Sequence, residues 1–415
     1  MGKSSISGSV RQPAAEADLA KLPHVVRAME WFGRNLSWIT AEQIAITEIP
    51  APPFAEANRA AYVAKLLAAA GLKVRTDDLG NVVGEWPGAT SREVVLVMAH
   101  LDTVFPAGTD VCVRREGPIL RAPGISDNGV GLASLAALAR AITESHITTR
   151  RTIAFAADVG EEGDGNLRGV RSLVEEYGLR LKAAIAVDGA STDYVITQAL
   201  AARRIEIIVT GPGGHSWSDF GAPNPINALA RGISRALQIH VPASPRTTFN
   251  VGKIEGGNQV NTIPARALIK LDIRSEQEKE ITRVEAALVE AIRLGVHEEN
   301  AAAKARRMTP GRERASLEMQ VNLLGVRPGG DLAANSALLS ALHEAERHLG
   351  IRSTPERAST DANIPLSLGI PAISMGAGGR AGGAHTLGEW YDPTGREIGL
   401  QRVLLTLLGV AGIER

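Results

Sequence analysis

Glu93-Val94-Val95-Leu96-Val97-Met98-Ala99-His100-Leu101-Asp102 is the stretch on which the fold turns. Val94 to Ala99 is an unbroken apolar run, the pattern of a strand buried on both faces of a parallel sheet. The polar triplet follows where such a strand emerges from the sheet. In an extended backbone residues i and i+2 point to the same side, so Asp102 can reach the ring of His100. It would hold that ring while the other nitrogen binds a metal.

Outward from this strand, helices and strands alternate. Helical periodicity covers about Ala17 to Leu36. A second helix, about Phe54 to Ala70, lies between the Pro50, Pro52, Pro53 cluster and Gly71. An Ala/Leu-rich helix follows at Gly129 to Ile142, then a strand at Thr152 to Ala157, a helix at Leu167 to Glu176 and a strand at Ala183 to Val187. This order predicts an α/β fold, a mostly parallel twisted sheet flanked by helices.

The pattern changes near Ala202. Arg204 to Thr210 alternates like a half-buried strand, and a helix follows at Pro225 to Gln238. Strands at Thr247 to Ile254 and Ala265 to Arg274, a charged helix at about Glu276 to Leu294 and a strand at Ser316 to Val326 complete the order βαββαβ. That is the order of a ferredoxin-like α+β unit. From Gly329 the first style resumes, with a helix at Leu332 to Leu349, a strand at Pro371 to Met375, a Gly-rich loop and a final helix. The expected organisation is an N-terminal extension over 1–40, an α/β unit over 41–202 and 329–415, and an inserted α+β unit over 203–328. Residues 1 to about 15 are rich in Ser, Gly and Ala, and loose packing is expected there.

Composition narrows the function classes. At 415 residues the chain is long enough for two or more domains. Lys plus Arg and Asp plus Glu both number 45, which argues against a nucleic-acid or anionic-membrane partner held by bulk charge. Cys112 is the single cysteine, so neither an intrachain disulfide nor a thiolate zinc site can form. It fits a reducing compartment, and a cytoplasmic location is expected. No apolar run approaches the roughly 18–20 residues of a membrane span, and Met1 to Ala20 lacks the apolar core of a secretion signal.

Ligands of open α/β sheets bind beyond the carboxyl ends of the strands. The ionisable residues that follow the expected core strands are His100 and Asp102, Asp127, the pair Glu161 and Glu162, Asp188, and His385. So many carboxylates at one rim repel one another unless a cation sits among them, and carboxylate with imidazole suits zinc and its neighbours. Five ligand candidates exceed the needs of one tetrahedral ion. A carboxylate bridging two ions about 3.5–4 Å apart uses them all. Asp127, on a Gly-flanked turn, is the natural bridge. Taken alone, each residue has a plainer reading: Asp127 as a helix N-cap, Asp102 as the start of a turn, the Glu pair at a helix N-terminus. Adjacent side chains in an extended segment diverge, so one Glu can bind metal while the other faces the reaction as general base. Spacing does not order the pair; Glu162 is taken as the ligand and Glu161 as the base.

These residues resemble the zinc aminopeptidase, carboxypeptidase and deacylase family that includes peptidase T, glutamate carboxypeptidase, aminoacylase and succinyl-diaminopimelate desuccinylase. The resemblance runs from about Ile49 to the C-terminus. It rests on His100-Leu101-Asp102-Thr103-Val104, Ser126-Asp127-Asn128-Gly129, Glu161-Glu162-Gly163, Asp188-Gly189 and His385-Thr386. It implies that His100, Asp127 and Asp188 hold one zinc ion and Asp127, Glu162 and His385 the other, with cobalt or manganese as substitutes. Asp102 would support His100. Gly211-Pro212-Gly213-Gly214-His215-Ser216 is similar to a lid motif whose histidine reaches the neighbouring active site of a homodimer and stabilises an oxyanion. Asn261-Thr262-Ile263-Pro264 and Leu271-Asp272-Ile273-Arg274 resemble substrate-contacting segments, and Arg274 could pair with a substrate carboxylate. Asn128-Gly129 departs from the pattern, because many members carry a charged residue after the bridging Asp. The stretches Glu161 to Gly169 and Thr360 to Asn363 look closest to the peptidase T-like and general deacylase branches.

The expected function is therefore a two-zinc exopeptidase acting on small peptides, of the tripeptide aminopeptidase type. The alternative is an N-acyl-amino-acid deacylase. In the first case Asp361 is a candidate partner for the substrate ammonium, or else a cap on a local turn. A non-catalytic metal- or peptide-binding protein on the same scaffold is the rival from another class, and it would have no use for Glu161.

Overall fold

In the computed structural model of the chain, which describes residues 19–306 and 316–414, Val94–His100 lies inside a nine-stranded sheet with all of its residues buried. The loose packing expected for residues 1 to 15 falls outside the described residues. Val94, Leu96 and Met98 join one apolar core and Val95, Val97 and Ala99 another, on opposite faces of the sheet. The period of two in a strand produces that division.

Thr152–Asp158 and Leu181–Val187 flank the central strand in parallel, and Ala372–Met375 runs parallel beside Leu181–Val187. These strands thus present their carboxyl ends on one edge. The sheet is mainly parallel, and its antiparallel neighbours lie at the margins: Lys73–Thr76 with Val82–Trp86 on one side, Tyr194–Ala199 with Gly330–Asp331 on the other. Thr354–Ala358 pairs in parallel with Tyr194–Ala199. Periodicity does not mark these marginal strands; Lys73–Thr76, for one, is short and mostly exposed.

Helices cover both faces. Gly129–Glu144 and Arg396–Ala411 bury against one core and Arg168–Tyr177 against the other. Within the helical stretch expected over about Ala17 to Leu36, whose first two residues fall outside the described ones, the helix runs Pro23–Arg34, and beyond Asn35 a further helix, Leu36–Thr47, follows that periodicity did not mark. Trp31 and Phe32 of the first helix sit in the main core, and Trp31 Nε1 donates to Glu144 at 2.6 Å. The described part of the expected N-terminal extension is thus packed into the large unit. Among the described residues no helix is long and apolar enough to cross a membrane.

A second, antiparallel sheet has the order Thr247–Gly256, Arg266–Ser275, Ala201–Thr210, Glu318–Arg327. Helices Pro225–Ala236 and Glu278–Ala305 complete the βαββαβ chain order, the ferredoxin-like arrangement. Ile205, Ile207, Val209, Ile269, Leu271 and Ile273 face those helices. The even-numbered Ala202, Arg204, Asp272 and Arg274 therefore face away from them. The long helix continues past Leu294 to Ala305, and Gly295 is a crossing point, where an added Cβ would come within 2.5 Å of the Ala228 carbonyl oxygen of the other helix.

The chain passes between the sheets twice, and the crossings are adjacent. Ala199 pairs with Gly330 in the large sheet while Ala202 pairs with Arg327 in the small one. This root of the small sheet stands over the edge where the parallel strands end.

Candidate metal centre

The strand ends converge as the sequence pattern requires. His100 Nε2 lies 3.1 Å from Asp127 Oδ1 and 3.7 Å from Asp188 Oδ1. His385 Nε2 lies 3.0 Å from both Asp127 Oδ2 and Glu162 Oε1. Asp127 thus turns one oxygen to each histidine. His100, Asp127 and Asp188 form one group, and Asp127, Glu162 and His385 another, with donor atoms of each group within 4.8 Å of one another. His100 also groups with Glu161 and Glu162. His385 has φ 65°, a left-handed conformation uncommon outside glycine, and such residues cluster at functional sites.

Electrostatics favour positive charge at these positions. Burial alone would lower the His100 pKa, but the neighbouring carboxylates of Asp102, Asp127 and Asp188 outweigh it and raise it well above the ordinary value. Hydrogen bonds with Asp127 and Glu162 push His385 up to about 10. Burial would raise Asp127, yet His100 and His385 hold it well below the usual carboxylate range. Two imidazoles among hard oxygen donors that together demand a cation are a fitting set for zinc or a similar divalent ion.

The supports are largely buried. Asp102 is fully buried, but its carboxylate does less for His100 than expected. His100 Nδ1 is 3.0 Å from the Asp102 backbone oxygen and 3.7 Å from its Oδ1. The carboxylate instead accepts from the backbone N–H groups of Glu161 at 3.0 Å and Glu162 at 2.8 Å. One residue therefore fixes both the first ligand and the Glu pair. The N-cap of helix Gly129–Glu144 is Asn128, whose Oδ1 accepts from Gly131 N at 3.1 Å, leaving Asp127 free to ligate. Asn128 Nδ2 donates to Val187 O at 2.9 Å, which ties the Asp127 turn to the strand leading to Asp188. Gly131 is required here, since a Cβ would lie 2.2 Å from Asn128 Oδ1.

Two supporting residues escape the sequence reading. Glu389 is fully buried and accepts from Gly124 N at 2.8 Å, Ser126 N at 2.8 Å, Ser126 Oγ at 2.7 Å and Asp127 N at 3.0 Å. It clamps the whole Asp127 turn. Arg327, the last residue of the small sheet, donates to Glu161 Oε1 at 2.8 Å and to the Glu161 backbone carbonyl. Burial pushes the Glu161 carboxyl up to about 8; Arg327 and His100 pull it down, while Glu162 and Asp188 push it up. A cation held by Glu162 would draw it down further, toward the range that suits a general base at neutral pH.

A cavity of about 420 Å³ opens over these residues. Its floor is His100, Asp127, Glu161, Glu162, Asp188 and His385, and its walls include Arg204, Arg274, Arg327 and Arg357. Of the expected substrate-binding residues, Arg274 lines it. Asn261 and His215 do not. His215 pairs with Thr262 in an exposed two-strand ladder and its Nδ1 accepts from Trp217 N at 3.1 Å, while Asn261 lies in the turn just before Thr262. Asp361 also lies off the wall. It is buried beside Asp158, and burial together with the charges of Asp158 and Glu161 pushes its carboxyl well above the carboxylate range. The local turn is capped by Asn363, whose Oδ1 accepts from Thr360 N at 2.9 Å, so neither role expected for Asp361 matches its surroundings.

Comparison with known proteins agrees with this geometry. The model of peptidase family M20/M25/M40 matches residues 96–408. The chain is 23% identical over 333 residues to the uncharacterized protein YqjE of Bacillus subtilis (strain 168), covering 74% of this chain and 81% of that one. It is 24% identical over 302 residues to the N-carbamoyl-L-amino-acid amidohydrolase of Paenarthrobacter aurescens, covering 60% and 69%. The fold superposes on the crystal structure of aminopeptidase PepT from Bacillus cereus with TM-score 0.69 at 21% identity, covering 91% of this chain and 99% of that one.

Proposed function

The chain belongs to peptidase family M20/M25/M40 and is a hydrolase of peptide or amide bonds; from that premise we propose that it is a two-zinc exopeptidase of small peptides, of the tripeptide aminopeptidase type. One observation carries this reading: Asp127 is shared by two three-residue ligand groups, with Glu161 beside them. His100, Asp127 and Asp188 would hold one ion, and Asp127, Glu162 and His385 the other. Two such ions polarise the scissile carbonyl and lower the pKa of a water molecule.

The chain's own residues do the rest. Glu161 takes a proton from the attacking water and returns it to the leaving amine. Arg327 fixes the Glu161 carboxylate through Oε1, leaving its other oxygen for that transfer. Arg274 receives a substrate carboxylate in bidentate fashion. A homodimer formed through the small-sheet unit would bring His215 of one copy to the cavity of the other, which fits the exposure of that residue. A single cysteine suits a cytoplasmic setting.

A second reading, N-acyl-amino-acid deacylase, is favoured by the cavity wall. Among the described residues, apart from the candidate ligands and Glu161, no carboxylate lines it to receive a substrate ammonium. A panel of tripeptides, dipeptides and N-acyl amino acids, assayed with zinc, cobalt and manganese, separates the two. In the same assay Glu161→Gln should abolish turnover while zinc stays bound. Substantial residual activity would overturn the role of Glu161.

A further inference from the structure

The cavity holds more cationic side chains than a substrate with one carboxylate can use. Arg327 is committed to Glu161. Arg204 Nε and Arg274 Nε share the single carboxylate of Asp272, at 3.2 and 2.8 Å. That pair, on the helix-free face of the small sheet, retains one net positive charge. Arg357 stands on the large sheet, in the strand Thr354–Ala358. Its contacts are long: Nη2 is 3.6 Å from Asp331 Oδ1, and Nη1 is 3.4 Å from the Glu276 backbone oxygen. The Asp331 side chain is 61% exposed, and an ion pair of that kind contributes little.

We propose that Arg357 forms a second carboxylate subsite facing the Arg204–Arg274 pair, so that the cavity selects substrates with two acidic groups. The chemical class is a peptide or N-acyl derivative of an acidic amino acid. One carboxylate meets the guanidiniums of the small sheet and the other meets Arg357 on the large sheet, both on the amine side of the amide, whose carbonyl lies over the metal centre. A neutral side chain in place of the second acid leaves Arg357 with its two long contacts. The proposal rests on the hydrolase reading above, which supplies the amide but not the second acid.

The test uses the full-length protein and its Arg357→Met and Arg357→Lys variants. First, kcat and KM are measured for N-acetylglutamate against N-acetylleucine, and for dipeptides ending in Glu against those ending in Leu. Wild type should prefer the acidic member of each pair. Arg357→Met should lower the acidic-to-neutral ratio of kcat/KM by about 10–100-fold, the value of one charge-assisted hydrogen-bonded contact. The loss should be carried by KM, and Arg357→Lys should recover part of it. Second, calorimetry compares glutarate with butyrate on the same proteins. Glutarate should bind wild type more tightly, and Arg357→Met should erase that difference. Equal losses on acidic and neutral substrates, or equal binding of glutarate and butyrate by wild type, would overturn the subsite. Failure to hydrolyse any substrate, with glutarate discrimination intact, would instead overturn the hydrolase reading and leave the subsite standing.

Discussion

Glu389→Gln is the perturbation that most directly tests how the metal centre is held. The carboxylate of Glu389 gathers four donors from the Gly124–Asp127 turn. Burial raises its pKa, and those donors oppose the rise. Glutamine has the same shape and keeps one oxygen for Ser126 and Asp127. Its amide nitrogen, however, would then face Gly124 N, setting donor against donor. The cost is one lost hydrogen bond to a charged acceptor plus a buried unsatisfied N–H, together about 2–3 kcal/mol. Asp127 belongs to both ligand groups, so displacing its turn should weaken both ion positions together. At tenfold per ~1.4 kcal/mol, and in line with other supports behind metal ligands, each affinity should fall about 10–100-fold. Zinc titration against a chelating dye measures the affinities, and thermal unfolding with excess chelator measures stability. Activity should return partly at high zinc. A lower melting temperature with unchanged zinc affinity would show that Glu389 serves packing alone, and loss of only one ion would refute a shared Asp127.

Two further perturbations separate the roles of neighbouring acids. Glu162→Ala removes one of the three donors of the group with Asp127 and His385, and elemental analysis of the purified variant should find about one ion per chain. Two retained ions would remove Glu162 from the ligand set. Asp361 is a buried carboxyl whose folded pKa lies well above its ordinary value through burial and the charge of Asp158. Such a group binds its proton more tightly when folded, so its contribution is complete below the unfolded pKa and fades as pH rises through the folded one. Asp361→Asn should therefore flatten the fall of melting temperature as pH rises above the ordinary carboxylate pKa of about 4 in metal-free protein; parallel curves for variant and wild type would contradict this.

Most of the candidate metal ligands were legible in the sequence because they follow strands whose apolar runs are unmistakable. Val94–His100 and Leu181–Val187 need no tertiary information to be placed, and their ends carry His100 and Asp188. Glu389 gave no such signal. It is a lone acid in a Gly-rich loop, and its partners lie more than 260 residues away. Arg204 and Arg274 were half legible: period two already sets them, with Asp272, on the polar face of their strands, but which face looks toward the metal centre depends on how the two sheets dock. Helix Leu36–Thr47 escaped for another reason, since its apolar residues do not keep to one stripe.

That docking also determines where the proposed base sits. The ligands come from the large unit alone, so its strand ends and the Glu389 clamp suffice to place them. Glu161 differs. Its backbone is held by Asp102 from the large sheet, but its carboxylate is held by Arg327, the final residue of the small sheet's last strand. Arg327 lies one row from the crossing between units, paired with Ala202 at the start of the first strand. A rotation of the small unit about this root would carry Arg327, and with it Arg204 and Arg274, relative to the ligands. On the proposed reading, metal binding and proton transfer would therefore have separable structural requirements: the first depends on one unit, the second on the two held in register. The same geometry places Arg204 and Arg274 on the small unit and Arg357 on the large one, so on the proposed reading a substrate that bridges them would also set the register in which Glu161 acts.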